Sequence, residues 1–372
     1  MTTMRPRIRE AGLVIGELPT GPQNAITDVA GVRVGHVTLI DGEGALRPGS
    51  GPVRTGVTVI LPHAGNIFRS KVSAAVHTIN GFGKVLGFEQ VRELGVLESP
   101  IALTNTLNVG LVADALVQYA IRQNPDIGIA TSSVNVVVGE TNDGYLNDLQ
   151  GRHVHTEHVF GALESASAGP VAEGAVGAGT GTLCFGWKGG IGTASRVLPI
   201  ELGGFALGVL VQTNFGSPRD LVIAGAPIGK SLMPATSVKA DDKGSIMIVL
   251  ATDAPLDARQ LHRLCVRAAA GLARVGSNYG HGSGDFVIAF STAHRVEHDP
   301  IELLVSRPVL INEATVIDGL FRAVVESVEE AIVNSLFRAE TIVGRDDHVA
   351  YALPLGEVLA LISTSRIRLT TD

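Results

Sequence analysis

Ala240-Asp-Asp-Lys-Gly-Ser-Ile-Met-Ile-Val-Leu-Ala-Thr-Asp-Ala-Pro255 passes from a charged loop into a strongly apolar run without transition. On an extended chain Ser245, Met247 and Val249 face one side, and Ile246, Ile248 and Leu250 face the other. Apolar residues on both faces predict a central strand covered on both sides. Gly244 and Ser245 stand at the junction, so Ser245 is expected at the mouth of a core strand, on a rigid element.

Outward from this strand, short Val/Ile/Phe-rich runs predict further strands at Val57–Leu61, Ile127–Val138, Phe205–Gln212 and Phe286–Ser291. Three segments carry helical patterning. Asn105–Arg122 has apolar residues at Leu107, Leu111, Ala115, Leu116 and Tyr119. Leu256–Val275 follows Pro255, and Asn312–Phe337 is the longest, with Gly319 a point of interruption. Strands and helices are mixed, yet few strand–helix–strand units are clean. The pattern favours layered sheets covered by helices over a doubly wound parallel sheet.

The 372 residues suffice for a large core, and 45 glycines with 4% aromatics suit a tightly packed body rich in turns. The formal net charge is −7, and apart from Arg5, Arg7 and Arg9 no basic run occurs, which argues against nucleic acid as a partner. Cys184 and Cys265 have neither framework nor zinc spacing and read as two buried free thiols. No apolar h-region follows the basic N-terminal residues. No run of about 20 apolar residues predicts a membrane span. A soluble cytoplasmic chain is the expectation.

Several motifs invite a reading and fail. Ala224–Ser231, AGAPIGKS, has three residues between Gly225 and Gly229 where a phosphate-binding loop needs four, so a turn with a solvated Lys230 is expected. Gly177-Ala-Gly179-Thr-Gly181-Thr182 lacks the last glycine of a dinucleotide fingerprint and reads as a tight loop. His153, His155, Glu157 and His158 are metal-ligand types without a ligand spacing, and a polar surface segment is the better reading. No G-x-S-x-G elbow occurs, while a Ser–His–Asp triad assembled in space stays open.

Gly244-Ser245 admits two readings on residue types alone. One is a turn before a strand. The other is self-cleavage before Ser245, which would free an α-amine with a reference pKa of about 7.7–8, able to take the proton of its own hydroxyl. Glycine would supply the backbone latitude that places the hydroxyl against the preceding carbonyl.

The run Lys243–Pro255 resembles the processing site of the L-aminopeptidase D-amidase/D-esterase family, which includes the β-peptidyl aminopeptidases. Asn24–His36, Gly139–Asp148, Gly177–Gly181, Gln212–Gly216 and Gly280–Phe286 resemble that family's other motifs in order, over most of the chain. The resemblance implies an α+β fold, a four-layer αββα sandwich like that of N-terminal-nucleophile hydrolases with different connectivity. It implies one domain, 1–372, cut into a 1–244 α chain and a 245–372 β chain that assemble as a homo-oligomer, commonly four pairs. No metal or organic cofactor is expected.

Residue by residue, the resemblance makes Ser245 the nucleophile and Gly244/Ser245 the cleavage site. Ser283 and Asp285 become a supporting pair; some relatives carry Glu at the second position, and Asp is shorter. Asn214 becomes the oxyanion-stabilising amide, Glu140 the acid that holds a substrate's free amino group, and Tyr145 a pocket residue. The implied activity removes a small N-terminal residue from peptides, amides or esters, β-peptides and D-residue amides among them, through an acyl-enzyme on Ser245. An amidase for another linear amide (relatives of that kind often use Thr), an acyltransferase on the same scaffold, and a nucleotide-binding module at Gly225–Ser231 are the alternatives.

Overall fold

A computed structural model describes residues 4–235 and 244–369. Ala240–Lys243, the charged entry to the strand, therefore lie outside the described residues. Two sheets dominate. The six-stranded sheet runs in the order Ile191–Val197, Ala206–Asn214, Ser245–Thr252, Gly284–Glu297, Ser70–Gly81, Val96–Leu97. Only Ser245–Thr252 and Gly284–Glu297 pair in parallel within it. The five-stranded sheet runs Arg33–Asp41, Val53–Leu61, Ile101–Asn105, Val137–Thr141, Val85–Leu86, with one parallel pair, Ile101–Asn105 with Val137–Thr141.

Three apolar layers separate four structural ones. Met247 and Val249 meet Leu103, Val137 and Ile60 of the other sheet between the two sheets. Ile246, Ile248 and Leu250 point away and pack with Leu261, Leu264, Val328 and Ile332 of the helices Ala258–Arg274 and Glu313–Arg338. The third layer sets Val57, Val59 and Val138 against the helices Val109–Gln123 and Thr156–Glu164. The alternation expected for Ser245–Leu250 thus holds on both faces, and the αββα sandwich follows from it. Each fully buried Ile or Leu here contributes roughly 1.5–3 kcal/mol. Gln212 pins the sheets together: its Nε2 donates to the Thr104 carbonyl (3.0 Å) and to Thr141 Oγ1 (2.9 Å).

Some sequence expectations shift. The helix expected from Asn105 begins at Val109, because Asn105 ends a strand and its Oδ1 accepts the Leu107 and Asn108 N–H groups (both 3.2 Å) in a turn. Ile127–Val138 is a strand only from Val137. Before it, the Asp126 carbonyl gathers the N–H groups of Ile129, Ala130 and Thr131, and Gly128 sits at φ +73°. Gly319 does not interrupt its helix; a Cβ there would lie 3.0 Å from Leu198 Cδ2, so close packing explains the glycine. The helix after Pro255 starts at Ala258 under a reciprocal cap between Asp257 and Gln260.

A buried ion network ties the N-terminal segment to the long helix. Arg196, fully buried, donates to Glu326 (3.0 Å), Glu330 (2.7 Å) and the Ile15 carbonyl (2.7 Å). Arg9 also pairs with Glu330 (2.7 Å), and the N–H groups of Glu17 and Leu18 saturate Glu326.

Candidate active site

Ser245 opens the central strand. It lies opposite Asn214 in the antiparallel neighbour and opposite Gly284 in the parallel one. The Gly284 N–H donates to the Gly244 carbonyl oxygen (3.0 Å) and also lies 3.3 Å from Ser245 Oγ. One backbone donor therefore addresses both the carbonyl before Ser245 and the hydroxyl that would attack it. Gly244 meets a steric demand, since a Cβ there would collide with the Asn214 carbonyl and Phe215 Cα.

Ser283 Oγ donates to Asp285 Oδ1 (2.7 Å), and both residues are buried on either side of Gly284. Asn80 Nδ2 donates to the Gly280 and Ser283 carbonyls and holds this turn against the end of Ser70–Gly81. Asn214 is oriented from two sides: the Leu183 N–H donates to its Oδ1 (3.1 Å), and its Nδ2 donates to the Asn142 carbonyl (2.9 Å).

Ser245, Gly244, Asn214, Glu140 and Tyr145 share one open cavity of about 1090 Å³, whereas Ser283 and Asp285 flank it without lining it. Glu140 is nearly inaccessible at 3% exposure and accepts the Lys84 N–H (2.9 Å). Burial raises its carboxyl above the ordinary value, against the opposing pull of the Lys84 N–H, the Lys84 charge and the Thr106 hydroxyl. The Tyr145 ring stacks on His348 with centroids 4.5 Å apart and planes 7° from parallel.

Three contributors carry no sequence signal of their own. Gly284 acts through a backbone N–H, which every residue but proline has. Lys84 comes from a separate segment, Gly81-Phe-Gly-Lys84, and reaches Thr106 Oγ1 (2.7 Å) beside Glu140. Lys188 is fully buried, and its ammonium donates to the carbonyls of Gly179 (3.0 Å), Thr182 (2.8 Å) and Gly189 (2.6 Å), bracing the loop that carries Leu183. Burial pulls its pKa down to about 7.

The competing motifs resolve geometrically. In Ala224–Ser231 the N–H groups of Ala226, Ile228, Gly229, Lys230 and Ser231 all donate to carbonyls of the same turn region, so no cradle is left for phosphate, and Lys230 is exposed. Gly177 and Ala178 spend their N–H groups on Thr38 and Thr58, as a tight loop packed against the five-stranded sheet. His153 pairs with Asp148 (3.0 Å), and among the described residues no three His, Cys, Asp or Glu side chains are grouped to hold a metal ion. Cys184 and Cys265 are buried free thiols, the former pushed up to about 12 by burial. No described helix is long and apolar enough to cross a membrane.

Comparison with known proteins gives the family. The model of peptidase family S58 matches residues 24–350. The β-peptidyl aminopeptidase BapA of Sphingosinicella microcystinivorans is 42% identical over 375 residues, covering 97% of this chain and 93% of the relative. The crystal structure of the PH0078 protein from Pyrococcus horikoshii OT3 superposes with a TM-score of 0.91 at 50% identity, covering 97% and 99% of the two chains. The L-aminopeptidase D-Ala-esterase/amidase of Ochrobactrum anthropi, described as a prototype for the serine aminopeptidases and a variant of the Ntn hydrolase fold, superposes with a TM-score of 0.88 at 38% identity, covering 97% and 99%. With this match spanning most of its length, the chain belongs to peptidase family S58 and is a serine aminopeptidase.

Proposed function

We propose that the chain cuts itself between Gly244 and Ser245 and then works as an aminopeptidase with Ser245 as nucleophile. The observation that carries this reading is the Gly284 N–H, held 3.0 Å from the Gly244 carbonyl oxygen and 3.3 Å from Ser245 Oγ. A fixed donor at that oxygen stabilises the charge that develops there when the hydroxyl attacks. Ser245 Oγ adds to the Gly244 carbonyl carbon, the C–N bond breaks, and the acyl group passes from nitrogen to oxygen. Water then hydrolyses the ester, leaving a Gly244 carboxylate and a free Ser245 amine. The products are the 1–244 and 245–372 chains of one domain.

In the processed enzyme the new α-amine, with a reference pKa of about 7.7–8, takes the hydroxyl proton. Ser283 and Asp285 hold that amine and hydroxyl in place, Asn214 stabilises the oxyanion, Glu140 pairs with the substrate ammonium, and Tyr145 lines the acyl site. The oxygen attacks the amide after a small N-terminal residue, the amine departs, and water releases the residue from the acyl-enzyme. β-Peptides stand first among substrates, since a relative 42% identical is a β-peptidyl aminopeptidase; D-residue amides and esters follow from the name of the Ochrobactrum anthropi enzyme.

We extend the reading to a homo-oligomer of four αβ pairs, supported by the exposed apolar side chains Ile301, Leu303, Leu304, Val305 and Ile311. A cytoplasmic location fits the two free thiols. Intact mass and a denaturing gel on wild type and Ser245→Ala test the core of the proposal. Two wild-type fragments split at Gly244/Ser245, with Ser245→Ala whole and inactive, are expected. A wild-type chain that stays full length and inactive after long incubation overturns it.

A further inference from the structure

Glu140 does not face the cavity alone. Lys84 lines the same cavity, its ammonium 3.9 Å from Glu140 Oε1, with the Thr106 hydroxyl bonded to both side chains. The Lys84 side chain is 56% exposed, and among the described residues its ammonium, which has three donors, donates to Thr106 Oγ1. The two charges are too far apart for a direct hydrogen bond, so each keeps capacity toward the cavity. An ammonium placed on Glu140 by a residue with an apolar side chain lands beside a second ammonium and is repelled. A terminus carrying an ammonium and a carboxylate on one carbon meets a complementary partner for each.

Gly83 and Gly284 pack against one another between these charges and the nucleophile. A Cβ on Gly83 would lie 3.4 Å from Glu140 Oε1 and 3.3 Å from Gly284 Cα, and one on Gly284 would lie 3.1 Å from Ser245 Oγ. Only the width of two glycines separates the charged pair from Ser245, which suits a short acyl residue.

Resting on the aminopeptidase reading of Ser245, we propose that the acyl site is built for a zwitterionic terminus, namely a β-linked aspartyl residue, with Glu140 taking its ammonium and Lys84 its α-carboxylate. In such a residue the carbon bearing both charges is joined through one CH₂ to the scissile carbonyl, the same spacing as in a β-amino acid. Ser245 Oγ attacks that carbonyl, the C–N bond to the next residue breaks, the amine leaves with a proton, and water releases aspartate from the ester.

The test compares kcat/KM for β-aspartyl-leucine, its methyl isostere 3-aminobutyryl-leucine, and α-aspartyl-leucine, on processed wild type, Lys84→Met and Lys84→Arg. Wild type is expected to favour β-aspartyl-leucine over the isostere and the α-isomer by at least tenfold. Lys84→Met should lower the first ratio at least tenfold, and Lys84→Arg should keep most of it. If Lys84→Met fails to process, inhibition of wild type by L-aspartate at least tenfold tighter than by 3-aminobutyrate gives the same readout. Cleavage of the isostere with no gain from the carboxylate, or a ratio insensitive to Lys84→Met, overturns the subsite and leaves the aminopeptidase standing. A preference for the α-isomer overturns the β-linkage. Inertness toward every substrate brings down the aminopeptidase reading and the subsite together.

Discussion

Glu330 and Glu140 are both buried carboxylates that face a cation, yet their surroundings differ in one respect. Glu330 receives Arg9, Arg196 and Asn24, so its oxygens are filled from within the fold. Glu140 receives one backbone N–H, the bridging Thr106 and a lysine held at 3.9 Å, and it opens on a cavity. Their carboxyl groups move in opposite directions. Burial pushes both up, but at Glu330 the two arginines outweigh it and hold the group below its ordinary value, while at Glu140 burial wins. A carboxylate saturated by the fold stabilises it; one left short of partners costs stability and is available to a ligand.

The comparison breaks first at Arg196. Arg196→Met leaves Glu326 and Glu330 short of their partner and should lower unfolding stability by roughly 3–5 kcal/mol, read from a denaturant melt. A change under about 1 kcal/mol would place this network with ordinary surface pairs. Asn214→Ala removes an oriented amide from the cavity without touching the buried network. It should cost about 10²–10³ in kcat, roughly 2.7–4 kcal/mol, with a melting midpoint close to wild type.

Glu140→Gln should cost about 1.5–3 kcal/mol in kcat/KM for substrates with a free amine. It should also erase an acid limb, because the free enzyme binds an ammonium only after Glu140 has lost its proton. With that pKa raised, kcat/KM falls on acidification at a higher pH than an unshifted Glu140 would give. Stability runs the other way. The folded state holds the Glu140 proton more tightly than the unfolded chain, so this group's contribution declines as pH rises from the ordinary value through the raised one. The Glu330 contribution is present above the ordinary value and is lost as pH falls through its lowered folded value. Opposite slopes in Glu140→Gln and Glu330→Gln melts across acidic pH check both signs. Smallest of all, Lys230→Ala should change stability and activity by less than about 0.5 kcal/mol, since that exposed side chain belongs to neither region.

How much of this was legible beforehand follows physical lines. The Ser245–Thr252 strand could be read, faces included, because burial on both sides leaves an unbroken apolar run. Ser70–Gly81, SKVSAAVHTING, was missed because its small and polar residues do not announce a strand, although it pairs along the length of Gly284–Glu297. Ile127–Val136 misled in the reverse sense, with β-formers drawn into a turn by the Asp126 carbonyl. Within the site, residues in family-like motifs were found, and Ser245, Asn214, Glu140 and Tyr145 do line one cavity. Gly284 was out of reach because its contribution is a backbone donor, and Lys84 because it lies 56 positions from the carboxylate it faces.

The strand order carries one more consequence. Ser245–Thr252 lies between Ala206–Asn214, which precedes the proposed cut, and Gly284–Glu297, which follows it. Severing the chain before Ser245 would leave its two pieces interleaved in one sheet, unable to part without breaking a central strand pair. Once unfolded, the two pieces would have to find each other again. Refolding of the processed protomer from denaturant should then depend on protein concentration, whereas uncut Ser245→Ala refolds its protomer by a first-order step that precedes any assembly.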